Sequence, residues 1–379
     1  MGEPGFTFDA LRRFPDVEAA NLVAVDASDR LVLDEAAGAV RAAPPGTVVV
    51  IGDRHGALTL GAAALHGATG IRTHQDALTG ERALASNAER TGLVGTFTSL
   101  GLDGELAAGA RVVLLQLPRA LEALAEIAEV VAGHADPQVQ VFAGGRLKHM
   151  TRAMNEVLGR SFGDVEARLA RQKSRVLVAT GPRPVGDDGP WRWPVCEHHA
   201  DLDLTVCAHG AAFAGTQIDR GTRTLLGHVP AMLPSATAAV DLGCGTGVLA
   251  VALARARPGL QVTATDESGG AVASARATVA ANGVADRVTV VRDDAASTVP
   301  DDSVDLVLLN PPFHLGATVH TGMAHRLFAD AARVLRPGGE LWTVWNSHLA
   351  YRPTLERLVG PTRQAGRTPA FTVTVSRAR

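Results

Sequence analysis

AVDLGCGTGVLAVAL, residues Ala239 to Leu253, decides the fold. An apolar run ends at Asp241, Gly243, Gly245 and Gly247 follow at alternate positions, and an apolar-periodic segment comes next. That order reads as a strand, a tight turn and a helix start. Glycine takes φ > 0 without strain and lets a ligand approach where a Cβ would stand. By itself such a turn fits any nucleotide-like ligand. Two later features narrow it: Asp266, 19 residues after Gly247, and the tetrapeptide Asn310-Pro311-Pro312-Phe313.

Working outward, strands alternate with helices. The spacing predicts strands at Ala239–Leu242, Gln261–Thr265, Arg287–Val291, Val304–Leu309, Glu340–Trp345 and Phe371–Val375. Helices are predicted at Gly247–Arg257, Ser268–Asn282 and Met323–Leu335. The last strand pair is too close in sequence for a crossover, so one of its strands runs antiparallel. Before this half, the same order of elements starts at Thr47–Ile51. Its helices fall at Gly56–His66, Asp76–Arg90 and Arg119–Val131, with further strands at Gly70–Thr73, Thr96–Ser99, Arg111–Leu115 and Val139–Phe142. Asn21–Val25 and Leu31–Leu33 read as short strands about a turn at Ser28-Asp29. The fold class is α/β: two tandem Rossmann-like domains, the C-terminal one with a seven-stranded, mainly parallel sheet.

The halves superpose as a duplication. A shift of 191 positions lays Ile51-Gly52-Asp53-Arg54-His55-Gly56 on Leu242-Gly243-Cys244-Gly245-Thr246-Gly247. Arg54 stands for the central glycine, Val50 for Asp241 and Gln75 for Asp266. Slightly out of phase, Gln116-Leu117-Pro118 lies on Asn310-Pro311-Pro312. The first copy keeps the scaffold and loses the chemistry. Between the halves, residues 146–175 hold eight basic and three acidic residues, the one basic concentration in the chain. The sequence therefore divides into a degenerate domain (1–145), a basic connector (146–190) that would be a solvated helix pair or face RNA phosphates, and a catalytic domain (191–379).

The second half carries the chemistry. Asp266, at a strand end across a crevice from the turn, suits the two hydroxyls of a ribose. A nicotinamide dinucleotide and S-adenosylmethionine both offer that diol. The turn separates them: a pyrophosphate favours GxGxxG, whereas Asp241 ahead of GxGxG suits a zwitterionic amino-acid tail. Asp293 and Asp294 follow the third strand; of the pair, Asp294 is favoured as acceptor for an adenine amine. In Asn310-Pro311-Pro312-Phe313 two prolines remove N–H donors and leave acceptors, the Asn310 amide oxygen and the Pro311 carbonyl. These suit a planar NH₂ group, and Phe313 can stack on its ring. A delocalised nitrogen of this kind needs orientation and a stabilised positive charge rather than a strong base. His314 could take up the released proton.

With Phe213-Ala214-Gly215-Thr216-Gln217-Ile218-Asp219-Arg220-Gly221-Thr222, DLGCGTGVL, TDESGGAVASAR, NPPFH, Pro337-Gly338-Gly339-Glu340-Leu341 and the late Asn346 and Phe371, the chain resembles class I S-adenosylmethionine-dependent methyltransferases. More closely it resembles the RsmC/RlmG family of bacterial ribosomal RNA guanine-N2 methyltransferases, nearer the large-subunit branch. The resemblance implies that Asn310, Pro311, Pro312 and Phe313 hold the guanine. It implies that Asp241, Gly243, Gly245, Gly247, Asp266 and Asp294 line the cofactor, with Asp219 and Thr222 near its methionine end. The partner implied is ribosomal RNA or a ribosomal subunit. Rivals are a protein-glutamine or DNA-adenine methyltransferase, which share the Asn-Pro-Pro-aromatic motif, and a non-catalytic RNA-binding or assembly factor.

Composition, 46% hydrophobic and 20% charged, agrees with a soluble globular protein with an ample core. The net charge of −3 excludes a polycation, so RNA contact needs a local patch. Three cysteines, Cys196, Cys207 and Cys244, without CxxC spacing suggest free thiols in a reducing, cytoplasmic setting. No leader or membrane span is expected, and a monomer is. Cys196, His198 and His199 resemble ligand spacing, but nothing completes a zinc set, so no metal is expected. Trp191 and Trp193 read as hairpin residues.

Overall fold

The computed structural model describes residues 6–19, 22–183, 192–311 and 317–379. Its contacts divide the chain into two units, Met1–Trp193 and Pro194–Arg379.

The first unit runs α1 (Ala27–Ala42), β1 (Val48–Ile51), α2 (Ala57–His66), β2 (Ile71–His74), α3 (Leu78–Thr91), β3 (Phe97–Ser99), α4 (Gly104–Ala107) and β4 (Val112–Gln116). It continues through α5 (Leu121–His134), β5 (Gln140–Arg146), α6 (Arg152–Ser161), β6 (Phe162–Ala167) and β7 (Ser174–Pro182). Every residue of β1 is buried, as expected of a central parallel strand covered on both faces. The seven strands lie in the order β3-β2-β1-β4-β5-β7-β6.

Two expectations need correction here. Neither expected strand forms: residues 22–25 are loop ahead of α1, and 31–33 lie within α1. Asp26 caps it by accepting from Ser28, and Asp29 reaches back to the Asp26 amide in a capping box. The triplet Leu31-Val32-Leu33 looks extended locally, but Val32, Ala36 and Val40 recur at helical spacing and pack on the sheet. Residues 146–182 are not a connector. They supply α6, β6 and β7, and β7 pairs antiparallel with β5 along its length. The basic residues masked an apolar strand, in which Val176, Leu177 and Ala179 are buried. Arg168, Arg171 and Lys173 cluster at the β6–β7 turn. Trp193 packs against the core of this unit instead of forming a hairpin; Trp191 lies outside the described residues.

The second unit opens with a hairpin, β8 (Val195–His199) and β9 (Leu204–Ala208). Its register sets Cys196 opposite Cys207, and the two form a disulfide, which corrects the expectation of three free thiols. Then follow α7 (Arg220–Leu226), β10 (Ala238–Leu242), α8 (Val248–Ala256), β11 (Gln261–Asp266), α9 (Gly269–Ala281), β12 (Val288–Arg292) and β13 (Val304–Leu309). The unit closes with α10 (Ala317–Val334), β14 (Leu335–Asn346), α11 (Arg352–Leu358), β15 (Thr362–Arg367) and β16 (Phe371–Arg377). The order is β12-β11-β10-β13-β14-β16-β15, the same topology as the first sheet, and β14 pairs antiparallel with β16. Chain order reverses between β10 and β13, so the ligand crevice of a doubly wound sheet falls at their carboxyl ends. No described helix is long and apolar enough to cross a membrane.

Candidate active site

The β10–α8 turn forms one wall of that crevice. Gly243, Gly245 and Gly247 have φ of 70°, 54° and 78°, all left-handed. A Cβ added at Gly243 or Gly245 would meet nothing within 4 Å, so the turn faces open space. At Gly247 a Cβ would come to 3.0 Å from that of Ala275, so this third glycine serves helix packing instead.

Asp241 sits beneath the turn and is 1% exposed. Its Oδ2 accepts a 2.9 Å bond from the Ala250 amide, while Oδ1 is buried without a partner among the described residues. Burial above all, with the Asp266 charge adding, pushes this carboxyl up to about 7 against the bond from Ala250. An orphaned carboxylate oxygen at a glycine turn is a natural receptor for an ammonium group. Asp266 closes the next side. Its Oδ2 accepts from Gly245 and its Oδ1 from Ser268, both at 2.9 Å. Helix α9 is capped by the Ser268 hydroxyl, which accepts from Ala271. Asp266 thus ties the turn to the β11 end. The donor set and the open glycine face fit S-adenosylmethionine.

The adjacent aspartates differ in role. Asp293 is buried and accepts from the Thr298 amide and hydroxyl at 2.8 and 2.7 Å, which commits it to its own turn. Asp294 forms an ion pair with Arg326 of α10. Arg326 was not legible as a site residue, because only the folded chain brings it to Asp294.

The other wall is the end of β13. Asn310 donates from Nδ2 to Asp219 Oδ2 at 3.1 Å and to the Thr222 hydroxyl at 3.0 Å. Its Oδ1 is buried and has no partner among the described residues. Pro311 is buried beside it. Asp219 and Thr222 therefore meet Asn310, whereas their expected place was at the cofactor. Pro312, Phe313 and His314 lie outside the described residues.

The segment carrying Asp219 is held by the β8–β9 hairpin. Glu197 accepts from the Thr216 hydroxyl at 2.6 Å and from Gln217 at 2.9 Å. These bonds, the Thr216 one foremost, hold the Glu197 carboxyl below its usual range. His199 Nε2 donates to the Thr216 carbonyl at 2.9 Å. The Cys-x-His-His run that looked like ligand spacing is thus a brace. Among the described residues no group of three His, Cys, Asp or Glu is placed to hold a metal.

The equivalent place in the first unit is filled by its own chain. A Cβ at Gly52 would meet the Gln116 carbonyl oxygen at 3.1 Å, where its counterpart Gly243 faces open space. Gln116, the counterpart of Asn310, donates to Asp29 and to the Ser28 hydroxyl. Asp53 accepts from the amides of Gly56 and Thr59 at 3.1 and 2.7 Å.

Comparison with known proteins agrees with this architecture. The methyltransferase small domain model matches residues 203–375, and the RLMG N-terminal domain model matches residues 4–183. Ribosomal RNA large subunit methyltransferase G of Streptomyces avermitilis is 36% identical over 372 residues, covering 96% of this chain and 95% of its own. Its namesake in Streptomyces coelicolor is 38% identical over 358 residues, covering 92% and 93%. A Pseudomonas fluorescens relative of the same name is 35% identical over 381 residues, covering 100% and 99%. Among solved structures, the Thermus thermophilus 16S rRNA N2 G1207 methyltransferase RsmC, in complex with AdoMet and guanosine, superposes with a TM-score of 0.72. It is 19% identical and covers 93% of this chain and 92% of its own, which shows a shared two-unit fold. Likeness to the large-subunit relatives over nearly the whole chain places it: this protein belongs to the ribosomal RNA large subunit methyltransferase G family.

Proposed function

We propose that this protein transfers the methyl group of S-adenosylmethionine to the exocyclic N2 of a guanine in large-subunit ribosomal RNA. The observation that carries the reading is the Asn310 amide. Both of its N–H groups are engaged and its oxygen is buried and unpartnered among the described residues, at the strand end beside the glycine turn. An acceptor so placed binds an NH₂ group of the substrate, with the Pro311 carbonyl as the next acceptor along the chain.

When bound, S-adenosylmethionine supplies an electrophilic methyl on a sulfonium. The chain's own groups do the rest. Asp241 takes the ammonium of the methionine tail, Asp266 the ribose hydroxyls and Asp294 the adenine amine. Accepting an N2–H bond holds the guanine nitrogen with its lone pair toward the methyl, and that bond strengthens as the nitrogen becomes positive. Phe313 stacks on the base. The first unit is non-catalytic: Gln116 and Asp53 fill the space that the second unit leaves open. Its basic turn and the residues around it meet RNA phosphates. In this reading the enzyme works in the cytoplasm, where it meets ribosomal RNA, and acts as a monomer.

The test is nucleoside mass mapping of both ribosomal RNAs from a deletion strain. Loss of one N2-methylguanosine from the large-subunit RNA, restored by the wild-type gene and not by Asn310→Ala, is the expected result. An unchanged map would defeat the proposal.

A further inference from the structure

We infer that Asp219, Thr222 and Gly221 form a clamp that sets which end of the Asn310 amide faces the substrate. Asp219 and Thr222 are then positioning residues for methyl transfer, not cofactor ligands. The inference rests on the proposed role of Asn310 and adds what makes that role possible.

An asparagine amide has two nearly isosteric ends, one donating and one accepting. Flipped, Asn310 would present NH₂ to the crevice, repel an amine and attract a carbonyl. The clamp removes that ambiguity. An ionised carboxylate accepts and never donates, so only the amide nitrogen can face Asp219 Oδ2. That oxygen is itself fixed by bonds from the Gly221 amide at 2.8 Å and the Thr222 amide at 3.3 Å. The Thr222 hydroxyl takes the second N–H of Asn310 at 3.0 Å. Both donors are consumed, and the oxygen is left as the acceptor for an incoming amine.

Gly221 makes the room. It lies in α7 without a left-handed φ, so backbone freedom does not explain a glycine here. A Cβ at this position would come to 2.9 Å from Asp219 Oδ2 and 3.1 Å from Asn310 Oδ1. It would press on both the anchor and the acceptor. The requirement is for space against the amide.

The decisive variant is Asp219→Asn. It is isosteric, still offers an oxygen to the α7 amides, and lets the two facing amides pair in either sense. Loss of one charge-assisted bond should lower kcat by about 30-fold. The dissociation constant of S-adenosylmethionine, from titration calorimetry, should stay within about threefold, since the bonds of the clamp run among Asn310, Asp219, Gly221 and Thr222 and not to Asp241 or Asp266. Thr222→Ser should keep near wild-type kcat, and Thr222→Val should lose it with cofactor affinity unchanged. Guanosine should inhibit the wild type better than inosine, which lacks the amine, and Asp219→Asn should lose that preference. Thermal unfolding guards against misfolding, with Thr222→Val as the second route if Asp219→Asn does not fold. Wild-type kcat in both Asp219→Asn and Thr222→Val overturns the clamp. So does a tenfold or greater weakening of cofactor binding in either variant, which would return these residues to the cofactor. A wild-type enzyme inactive on every ribosomal RNA instead defeats the proposed function and leaves the cofactor-affinity arm readable.

Discussion

Replacing Asp241 with asparagine separates the charge of this residue from its shape. In the wild type the carboxyl is wholly buried, keeps one oxygen without a partner among the described residues, and is pushed by burial up to about 7 from the ordinary carboxylate range. Because the folded value is raised, ionisation works against folding. The contribution is least unfavourable below the unfolded pKa and is lost as pH rises toward the folded one. A carboxyl raised to about 7 costs the folded state roughly 4 kcal/mol at neutral pH and above. Asp241→Asn keeps an oxygen for the Ala250 amide and abolishes the titration. Near pH 8 the cofactor-free variant should therefore be more stable than wild type, with a difference that shrinks toward pH 4. Cofactor binding has the opposite sign, since an ammonium group favours the ionised carboxylate. Below its pKa the wild type should gain up to one decade of affinity per pH unit, or about 25-fold between pH 5.5 and 7.5. Titration calorimetry with S-adenosylmethionine across that range, paired with urea unfolding, reads both effects. A wild-type affinity that does not change with pH, or an asparagine variant with the same pH dependence as wild type, would refute the ammonium contact.

Other consequences are as direct. Equilibrium dialysis should give one S-adenosylmethionine per chain, and two would contradict the filling of the first unit by Gln116 and Asp53. Reversing charge at the β6–β7 turn, as Arg168→Glu with Lys173→Glu, should weaken RNA binding and reduce the slope of log affinity against log salt by about two. Equal slopes for variant and wild type would make the turn a solvated face. Breaking the Cys196–Cys207 bond, which spans 11 residues, should cost the second unit about 2–3 kcal/mol, seen as a lower unfolding midpoint after dithiothreitol. An unmoved midpoint would mean that the hairpin is held by its other contacts.

Strands buried on both faces were legible in the sequence because their residues announce it. Val48–Ile51, Ala238–Leu242 and Val304–Leu309 are near-continuous apolar runs, and the tandem topology followed from them. Strand β15, Thr362–Arg367, was missed because it forms the edge of its sheet and is mostly polar and half exposed. The hairpin β8–β9 was missed for a similar reason: β8 reads Val-Cys-Glu-His-His and is exposed at all but its last residue. At the site, Asp241, the three glycines and Asn310 were legible because local spacing carries their geometry. The bond between Asn310 and Asp219 spans 91 residues, and no local pattern encodes such a meeting. The Asp294–Arg326 pair and the Glu197 brace are products of tertiary approach in the same sense. Arg146–Arg175 misled because a count of charges carries no information about the apolar residues between them.

The carboxylate beneath each glycine turn has an evolutionary consequence. Thr59 and Ala250 occupy equivalent positions, and the amide of each is capped by a buried carboxylate. In the second unit the cap comes from Asp241; in the first it comes from Asp53, and Val50 stands where Asp241 would be. A turn like that of the second unit is therefore not reached from the first unit's turn by a single mutation. Val50→Asp alone would crowd a second buried carboxylate onto an amide already capped, and losing Asp53 alone would leave that amide without an acceptor. Either change alone destabilises the turn, so the two would have to arrive together, and the contact of Gln116 with Gly52 would still have to open.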